Sequence, residues 1–338
     1  MGSGLAVALV CWAWLISPTV EGPVQYAGAA VACAVAYAAA SALARVSPPA
    51  PGLLVAGAVL ATFVLHPVGL TSGAALAAPL GYANANAALI TCAVAALLLC
   101  AEINEPPTRW LFYAAAVVIA LLSIGTGSKA GAITALGMVL LWPVVRGLDR
   151  RAIAVGCAAL LALGLALVTG AGLARDSDDP QSGGLDSAAA AVVTERRVQL
   201  WSEALDLTAE RPVTGVGAGR FDEESPSARA DRDARWAHSE PLQVAAETGL
   251  VGLCLLVALL IWVLVALAAG PSRAGVVGIL LVLALGAQAS IDYVLHFPAV
   301  LVAAAAVVGA SGSVTASLDG RDWGSPGSRR LRRRSPSV

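Results

Sequence analysis

The sequence predicts an all-α fold: a polytopic membrane helix bundle of about ten spans, with a large extracytoplasmic loop that contains short helices. Three observations support this prediction. Of the 338 residues, 58% are hydrophobic and 13% are charged, about half the charged fraction of an ordinary soluble domain. Many apolar runs reach the length of about 20 residues that a spanning helix needs. The polar residues are concentrated in one long segment, 171–246.

The apolar runs divide the chain into four parts. Residues 1–170 form an N-terminal membrane bundle of about seven spans, and 171–246 form the extracytoplasmic loop. Residues 247–314 form the C-terminal spans, and 315–338 form a basic cytoplasmic tail. The expected spans lie at roughly 4–20, 24–44, 52–69, 83–101, 110–126, 130–146, 152–170, 247–269, 274–294 and 297–314.

The positions of the arginines predict the orientation of the bundle, because short cytoplasmic loops are enriched in basic residues. If the arginine-rich tail lies inside, every short arginine-bearing loop falls on the same side. Lys129, the long loop and Asp292 then fall on the opposite side. We therefore expect a multi-pass protein of the cytoplasmic (inner) membrane whose active face is extracytoplasmic. The loop arginines on the inner side are Arg45, Arg109, Arg146, Arg150, Arg151 and Arg273.

Several classes of site are not expected. All six cysteines fall in apolar runs, which argues against a disulfide framework and a cysteine metal site. Asp176-Ser177-Asp178 is interpreted as part of a flexible linker, 171–187, rather than as a metal motif. Gly215, Gly217 and Gly219 follow no strand and are interpreted as a turn on the membrane surface, not as a dinucleotide site. No metal, no cofactor and no nucleic-acid partner is expected.

The long loop contains the residues that could carry chemistry. A helical pattern runs from Ala188 to Glu210 and ends at Pro212. Ser239 is a plausible N-cap of a second helix that runs straight into the span at 247–269. His238 would then lie at the positive end of a helix, which disfavours imidazolium. A neutral histidine can accept a proton, as a general base must.

The loop and three other stretches resemble one family. The run Arg197…Trp201, Pro212…Gly215-Val216-Gly217…Phe221, Ala237-His238…Gln243…Glu247-Thr248-Gly249-Leu250-Val251-Gly252 is similar to the O-antigen ligase family, which includes some O-antigen polymerases and pilin-glycan ligases. The resemblance covers roughly residues 80–310. The other stretches that agree are Gly81-Tyr82-Ala83-Asn84, Thr126-Gly127-Ser128-Lys129-Ala130-Gly131 and Ile291-Asp292-Tyr293.

The resemblance implies a metal-independent, inverting glycosyltransferase outside the cytoplasmic membrane. Its donor would be a glycan on polyprenyl diphosphate, and its acceptor a hydroxyl of another glycan, a lipid or a protein. His238 would be the catalytic base, and Arg197 and Lys129 would bind the diphosphate. Lys129 stands where the family has arginine, so a two-pronged hold on phosphate becomes a point charge. Ser239 replaces the asparagine that often follows the histidine.

Further residues are weaker candidates for the same site. Arg220 is a second candidate for the diphosphate, and Asp292 and Arg196 are candidates for the site lining. Trp201 and Phe221 are interpreted as anchors at the membrane interface, as is Trp236, rather than as platforms for sugars.

Alternative interpretations remain open at this point. His238 could be a surface histidine at a helix end, Arg197 a solvated or paired residue, and Lys129 a snorkelling end residue. The whole chain could be a transporter or flippase of lipid-linked glycans, or a non-catalytic scaffold of envelope assembly. Transporters tend to carry charges in mid-bilayer and internal repeats, whereas these spans are nearly free of charge and show no repeat.

Overall fold

A computed structural model describes residues 2–71, 78–176, 194–231, 234–269 and 273–318. The fold is all-α and 84% helical, with no strand among those residues, as predicted. Two short 3₁₀ helices, Ser123–Thr126 and Val294–His296, lie shortly before the α-helices that begin at Lys129 and Pro298. The helices are α1 (Gly2–Ile16), α2 (Glu21–Val46), α3 (Ala50–Leu65), α4 (Val68–Thr71), α5 (Ala83–Ile103), α6 (Thr108–Leu122), α7 (Lys129–Val145), α8 (Arg150–Asp176), α9 (Glu195–Glu210), α10 (Phe221–Glu224), α11 (Pro226–Ala230), α12 (Glu240–Ala269), α13 (Ala274–Ile291) and α14 (Pro298–Leu318).

Helix length decides how many crossings the structure supports. Within the described residues, six helices are long and apolar enough to cross a membrane: α2, α5, α6 with its 3₁₀ extension, α8, α12 and α13. Four shorter apolar helices, α1, α3, α7 and α14, lie at the other predicted spans. Each predicted span therefore falls on an apolar helix, but the count of about ten spans is not confirmed.

Helix α5 is the centre of the bundle. Every residue from Ala85 to Glu102 is buried. The run is rich in alanine, and these small side chains let the neighbouring helices α3, α6, α7, α13 and α14 pack closely around α5. Helix α13 is the second well-buried helix, whereas α2, α8 and α12 turn most of their apolar residues outward. That outward apolar surface is what a bilayer would cover.

Two of the loop arginines contact the C-terminal end of α5. Arg146 at the end of α7 pairs with Glu102 of α5 at 3.2 Å and stacks over Trp142. Arg109, at the start of α6, donates from its Nε to the carbonyl of Ala101 at 3.2 Å. These two arginines therefore lie at the same end, as the loop pattern predicts.

The long loop has a core of its own at the opposite end. Helix α9 packs on the last turns of α8 and the first turns of α12. Thr194 caps α9, and the helix ends at Glu210, as predicted from Pro212. Trp201 and Phe221 are fully buried in this core, so their interpretation as interface anchors is wrong. The loop folds as a small packed layer, since it contributes enough apolar side chains to bury each other.

The expectation that the helix after His238 runs straight into the span is also wrong. Gly249 has φ 69° and ψ −176°, which breaks α12 into two helical segments. A Cβ at this position would lie 2.2 Å from the carbonyl oxygen of Val213, so only glycine fits. The break leaves helix carbonyls without their usual partners. Two of these carbonyls accept hydrogen bonds from the glycine-rich stretch instead. The N–H of Val216 donates to the carbonyl of Ala246, and the N–H of Gly217 donates to the carbonyl of Glu247, at 2.9 Å each.

Residues 213–221, hereafter the glycine-rich segment, therefore cap the break instead of forming a simple turn on the membrane. Ala218 donates to the hydroxyl of Ser17 at 3.0 Å, and a Cβ on Gly22 would lie 1.8 Å from the carbonyl oxygen of Ala218. The segment thus joins α12 to the α1–α2 turn. Residues 171–176, expected to belong to the flexible linker 171–187, continue α8, so that part of the expectation is wrong. Residues 315–318, expected to belong to the basic tail 315–338, lie in α14. The rest of both segments, and residues 188–193 of the expected helix, lie outside the described residues.

Candidate active site

A cavity of about 370 Å³ opens at the loop end of the bundle, where the N-termini of α5, α7 and α9 meet the C-terminus of α13. Five of the six candidate residues from the sequence line it: Lys129, Arg196, Arg197, His238 and Asp292. They come from four separate parts of the chain, and the fold brings them together. We call this space the His238 cavity.

Asp292 is the hub of the cavity. It follows directly on α13, and its side chain is only 4% exposed. Its Oδ2 accepts from Nη2 of Arg197 at 2.8 Å, and its Oδ1 lies 3.3 Å from Nδ1 of His238. The second contact is close enough for an ion pair but is not aligned as a hydrogen bond. Asp292 therefore ties the candidate base to the candidate phosphate-binding arginine.

Three neutral groups complete the shell of Asp292. The Tyr82 hydroxyl lies 2.8 Å from each carboxylate oxygen, the side-chain amide of Asn84 donates to Oδ2, and the backbone N–H of Tyr293 donates to Oδ1 at 2.8 Å. Burial raises the pKa of Asp292, but His238 and Arg197 together with the Tyr82 hydroxyl outweigh it, so the pKa lies below its ordinary value. The carboxylate stays ionised and can orient its neighbours.

The backbone at His238 is held in an unusual conformation. His238 has φ 50°, the only non-glycine residue with positive φ among those described. Such a conformation costs about 1–3 kcal/mol and persists only where the surroundings impose it. Here the Trp201 indole donates to the carbonyl of His238 at 3.0 Å, and Ala237 donates to Oε1 of Gln243 at 3.0 Å. The imidazole makes an edge-to-face contact with the Tyr293 ring and lies beside Asp292.

A second histidine, His296, contacts residues in the first turns of α12. Nδ1 of His296 lies 3.0 Å from Oε2 of Glu240, the first residue of α12. Its Nε2 lies 3.4 Å from the amide of Gln243, which donates to Glu247 at 3.0 Å. Burial lowers the pKa of His296, but the carboxylates of Glu240 and Glu247 outweigh it and raise the pKa above its ordinary value. The pair pins the start of α12, two residues after His238.

The cavity is electropositive. Lys129 is the first residue of α7, whose N-terminus Ser128 caps by accepting from Gly131 at 3.1 Å. Arg197 lies in the first turn of α9, where Thr194 accepts from its backbone N–H at 3.4 Å. Two helix N-termini and three cationic side chains therefore line this space. Asp292 pairs with Arg197, and Asp231, which is not a lining residue, pairs with Arg196, so positive charge is still in excess. Such an arrangement favours binding of an anion.

The structure places Arg220 elsewhere. Its guanidinium pairs with Glu223 at 2.8 Å and Glu224 at 2.9 Å, one turn along the chain. It lines a different cavity, of about 510 Å³, together with Trp12 and Arg211. Two adjacent carboxylates offset its charge, so the two arginines that the sequence proposed for phosphate have different surroundings.

An apolar groove of about 630 Å³ lies next to the His238 cavity, between α7, α8 and α13. Thr134 and Ser290 are the polar exceptions among residues such as Met138, Leu161 and Leu283. Ile291 lines both the groove and the His238 cavity, so the two spaces share a wall. The charged cavity and the apolar groove are therefore adjacent spaces.

Some residues of the site were not singled out as candidates from the sequence. Tyr82 and Asn84 belong to a stretch noted only for its resemblance, and their contact with Asp292 spans about 210 residues. Gln288 is a polar residue in an apolar span, one turn before Asp292, which is a usable signal for a functional position. Ser239 precedes α12 as expected, but its buried hydroxyl makes no hydrogen bond within the described chain.

No group of three or more histidine, cysteine, aspartate or glutamate side chains is placed to hold a metal ion in the described ranges. Asp292, the nearest carboxylate to His238, is already occupied by Arg197 and Tyr82. The chemistry that this arrangement offers through its own residues is proton transfer at His238 and charge stabilisation by Lys129 and the arginines.

Comparison with known proteins agrees with the resemblance seen in the sequence. The family model described as O-antigen ligase matches residues 114–257, so the similarity to that family is confirmed over this segment. The match includes Lys129, Arg197 and His238, and it ends before Asp292. No curated protein matches the chain.

Proposed function

We propose, from the match to O-antigen ligase, that this protein transfers a glycan from polyprenyl diphosphate to an acceptor hydroxyl of another glycan, a lipid or a protein. Transfer is metal-independent and inverts the anomeric centre. It takes place on the extracytoplasmic side of the inner membrane, and the arginine pattern of the short loops supports this orientation for the His238 cavity. One observation carries the proposal: a histidine, its orienting carboxylate and three cations line one cavity at the mouth of an apolar groove.

His238 acts as the general base. Asp292 lies at Nδ1, which favours the tautomer with the proton on Nδ1 and leaves Nε2 to accept a proton. The acceptor hydroxyl gives its proton to Nε2 as its oxygen attacks the anomeric carbon. The bond from that carbon to the diphosphate oxygen breaks in the same step, so attack from the opposite face inverts the centre. The 3.3 Å contact tightens as the imidazolium forms.

Lys129, Arg197 and Arg196 stabilise the departing diphosphate. Negative charge builds on its bridging oxygen as the glycosidic bond breaks, and fixed cations stabilise that charge most where water is scarce. Arg197 offers a planar guanidinium that can hold two phosphate oxygens, whereas Lys129 contributes a point charge at the N-terminus of α7. Arg220 lies in another cavity and is left out of this role.

The apolar groove supports a lipid-linked donor rather than a soluble sugar nucleotide. Its lining would remain in contact with bilayer lipid unless a chain of similar polarity occupied it. A polyprenyl chain in the groove would bring its diphosphate to the shared wall at Ile291, beside the cations. The donor is then held at both ends before the acceptor arrives, which lowers the entropic cost of reaction.

The experiment is a transfer assay with purified protein in lipid nanodiscs. Polyprenyl-diphosphate glycans extracted from membranes of the source organism serve as donors, and release of polyprenyl diphosphate is followed with acceptor glycosylation. We expect His238→Ala to lower the rate by about 10²–10⁴-fold, the usual contribution of a general base. Arg197→Ala should lower it as well, because the leaving group loses a cation.

Matched controls separate chemistry from folding. His66→Ala and Arg229→Ala remove an exposed histidine and an exposed arginine outside the His238 cavity, and both should transfer at the rate of the wild-type protein. Unchanged transfer in folded His238→Ala and Arg197→Ala variants would refute the proposal. Donor translocation without bond exchange would point to a flippase instead.

A further inference from the structure

Gln288 is a buried side chain on the wall of the His238 cavity whose hydrogen bonding is incomplete. It is 2% exposed and lies on α13, four residues before Asp292. Its Nε2 donates to Thr134 Oγ1 at 2.7 Å and to Thr91 Oγ1 at 3.3 Å. Its Oε1 is buried and has no hydrogen-bond partner in the described chain. An unpaired buried carbonyl is costly, so such a group calls for a partner.

The two threonines fix the direction of the amide. The Thr91 hydroxyl donates to the carbonyl of Ala87 at 2.9 Å, and the Thr134 hydroxyl donates to Ala130 and Gly131 at 3.0 Å. Each threonine oxygen is left to accept, and the nitrogen of Gln288 occupies both. The carboxamide oxygen is therefore the polar atom of this lining side chain that has no partner among the described residues.

The chemistry of an unpaired carbonyl oxygen limits what it can contact. The oxygens of an ionised diphosphate are acceptors themselves, so they would repel it. A polyprenyl chain has no donor to offer. A sugar carries hydroxyl donors, and Gln288 lies about 6 Å along α13 from Asp292, four residues at the helical rise. Gln288 and Asp292 line the same cavity, so a sugar hydroxyl is the donor that the proposed ligand could offer to this oxygen.

We infer that Oε1 of Gln288 accepts a hydrogen bond from a hydroxyl of the first sugar of the donor, and that Gln288 is a specificity-determining residue for it. Thr91 and Thr134 are positioning residues, since they act through the amide that they hold. The inference rests on the proposed function, because it assumes a glycan on a lipid diphosphate. It adds that the cavity distinguishes the sugar from the phosphates by a hydrogen-bond acceptor, which contacts hydroxyl groups and not phosphate oxygens.

The test compares two ligands in the same variant. Dissociation constants are measured in nanodiscs for extracted polyprenyl-diphosphate glycans and for undecaprenyl diphosphate, which has no sugar. Gln288→Met keeps the length of the side chain and removes the oxygen. It should weaken binding of the glycan-bearing lipid by about 5- to 10-fold, the effect of one neutral hydrogen bond. Binding of undecaprenyl diphosphate should not change.

Two further variants test the positioning of the Gln288 amide and provide a control. Thr134→Val leaves Gln288 in place but removes its shorter contact, and it should give the same selective loss to a smaller degree. Gln199→Met is the matched control, because Gln199 contacts Glu203 and Ser227 outside the cavity. It should bind both ligands as the wild-type protein does.

Three outcomes would overturn the inference. Unchanged affinity for the glycan-bearing lipid in Gln288→Met and Thr134→Val would show that no sugar hydroxyl meets the amide. Equal loss for both ligands in these variants would place Gln288 on the diphosphate. Wild-type protein that binds neither ligand would refute the proposed function itself, which distinguishes that failure from the other two.

Discussion

The His238 cavity and the glycine-rich segment each contact one buried carboxylate, and the two carboxylates differ in their hydrogen-bond partners. Asp292 contacts side chains that line a cavity, among them Arg197 and His238. Glu247 accepts from the backbone N–H groups of Gly219 at 2.8 Å and Phe221 at 3.4 Å, and from the side-chain amide of Gln243 at 3.0 Å. A carboxylate that holds reactive side chains can serve chemistry, whereas one that holds backbone shapes the chain. The partners, rather than burial, separate the two roles.

Arg197 and Arg220 also differ in the charged groups around them. Both are arginines of the long loop with a carboxylate within 3 Å. Arg197 shares its cavity with Lys129 and two helix N-termini, so positive charge prevails there. Arg220 is offset by Glu223 and Glu224. An arginine near a membrane surface is thus a phosphate site only where its neighbours leave positive charge to spare.

The largest expected contrast is between Asp292→Asn and Glu247→Gln. Asp292→Asn should lower kcat by about 100-fold or more, because an amide no longer stabilises an imidazolium at His238. Glu247→Gln should leave kcat near that of the wild-type protein and lower the free energy of unfolding by about 2 kcal/mol, since charged hydrogen bonds to the glycine-rich segment are lost. Transfer kinetics and thermal melts measure both. Equal loss of activity in the two variants would end the distinction.

A tenfold effect should separate the two arginines. Arg197→Lys keeps the charge and removes the two-pronged geometry, so we expect the KM for the lipid-linked donor to rise by about 10-fold. Arg220→Lys should not change it. Steady-state kinetics at low and high donor concentration distinguish KM from kcat. A larger effect at Arg220 would shift the diphosphate to the second cavity.

The thermal stability of the protein should depend on pH through His296. The pKa of His296 is raised in the folded protein, so its pairing with Glu240 and its attraction to Glu247 stabilise the fold fully below the ordinary histidine value of 6.5. That stabilisation is lost as pH rises through the raised pKa. The melting temperature of the wild-type protein should therefore fall as pH rises above 6.5, and His296→Phe should flatten the fall. The exposed His66→Phe variant is the control, and an identical profile in His296→Phe would contradict the assignment.

The smallest effect is expected at Lys129. Lys129→Arg restores the two-pronged geometry that the family resemblance leads one to expect at this position. We expect it to lower the KM for the donor by about 2- to 3-fold, less than a full charged hydrogen bond contributes, since the charge is already present. A KM that rises in this variant, with folding intact, would mean that the space at the start of α7 is shaped for lysine.

The sequence was sufficient to predict the fold class and to propose Lys129, Arg197 and His238 for one site. Apolar run length determines the helices, and the loop pattern points to the site. It could not show that Tyr82 and Asn84 meet Asp292, because contacts across about 210 residues leave no local signature. The break at Gly249 escaped prediction since a glycine in an apolar run usually continues the helix. Its contact with Val213 is what forces the break.

The placement of Arg220 and Trp201 could have been better predicted. Glutamates three and four residues after Arg220 lie within reach on one helical turn, a pattern visible in the sequence. Trp201 was interpreted from its nearness to a membrane, whereas the loop supplies its own apolar core. Local charge and total apolar content of the loop would have corrected both interpretations.

The most direct test of the proposed site is a cryo-electron microscopy structure of the protein in nanodiscs with undecaprenyl diphosphate bound. We expect density for the diphosphate in the His238 cavity, with phosphate oxygens within about 3 Å of Arg197 and Lys129, and for the lipid chain in the groove between α7 and α8. Diphosphate density beside Arg220 instead, with the His238 cavity empty, would contradict it.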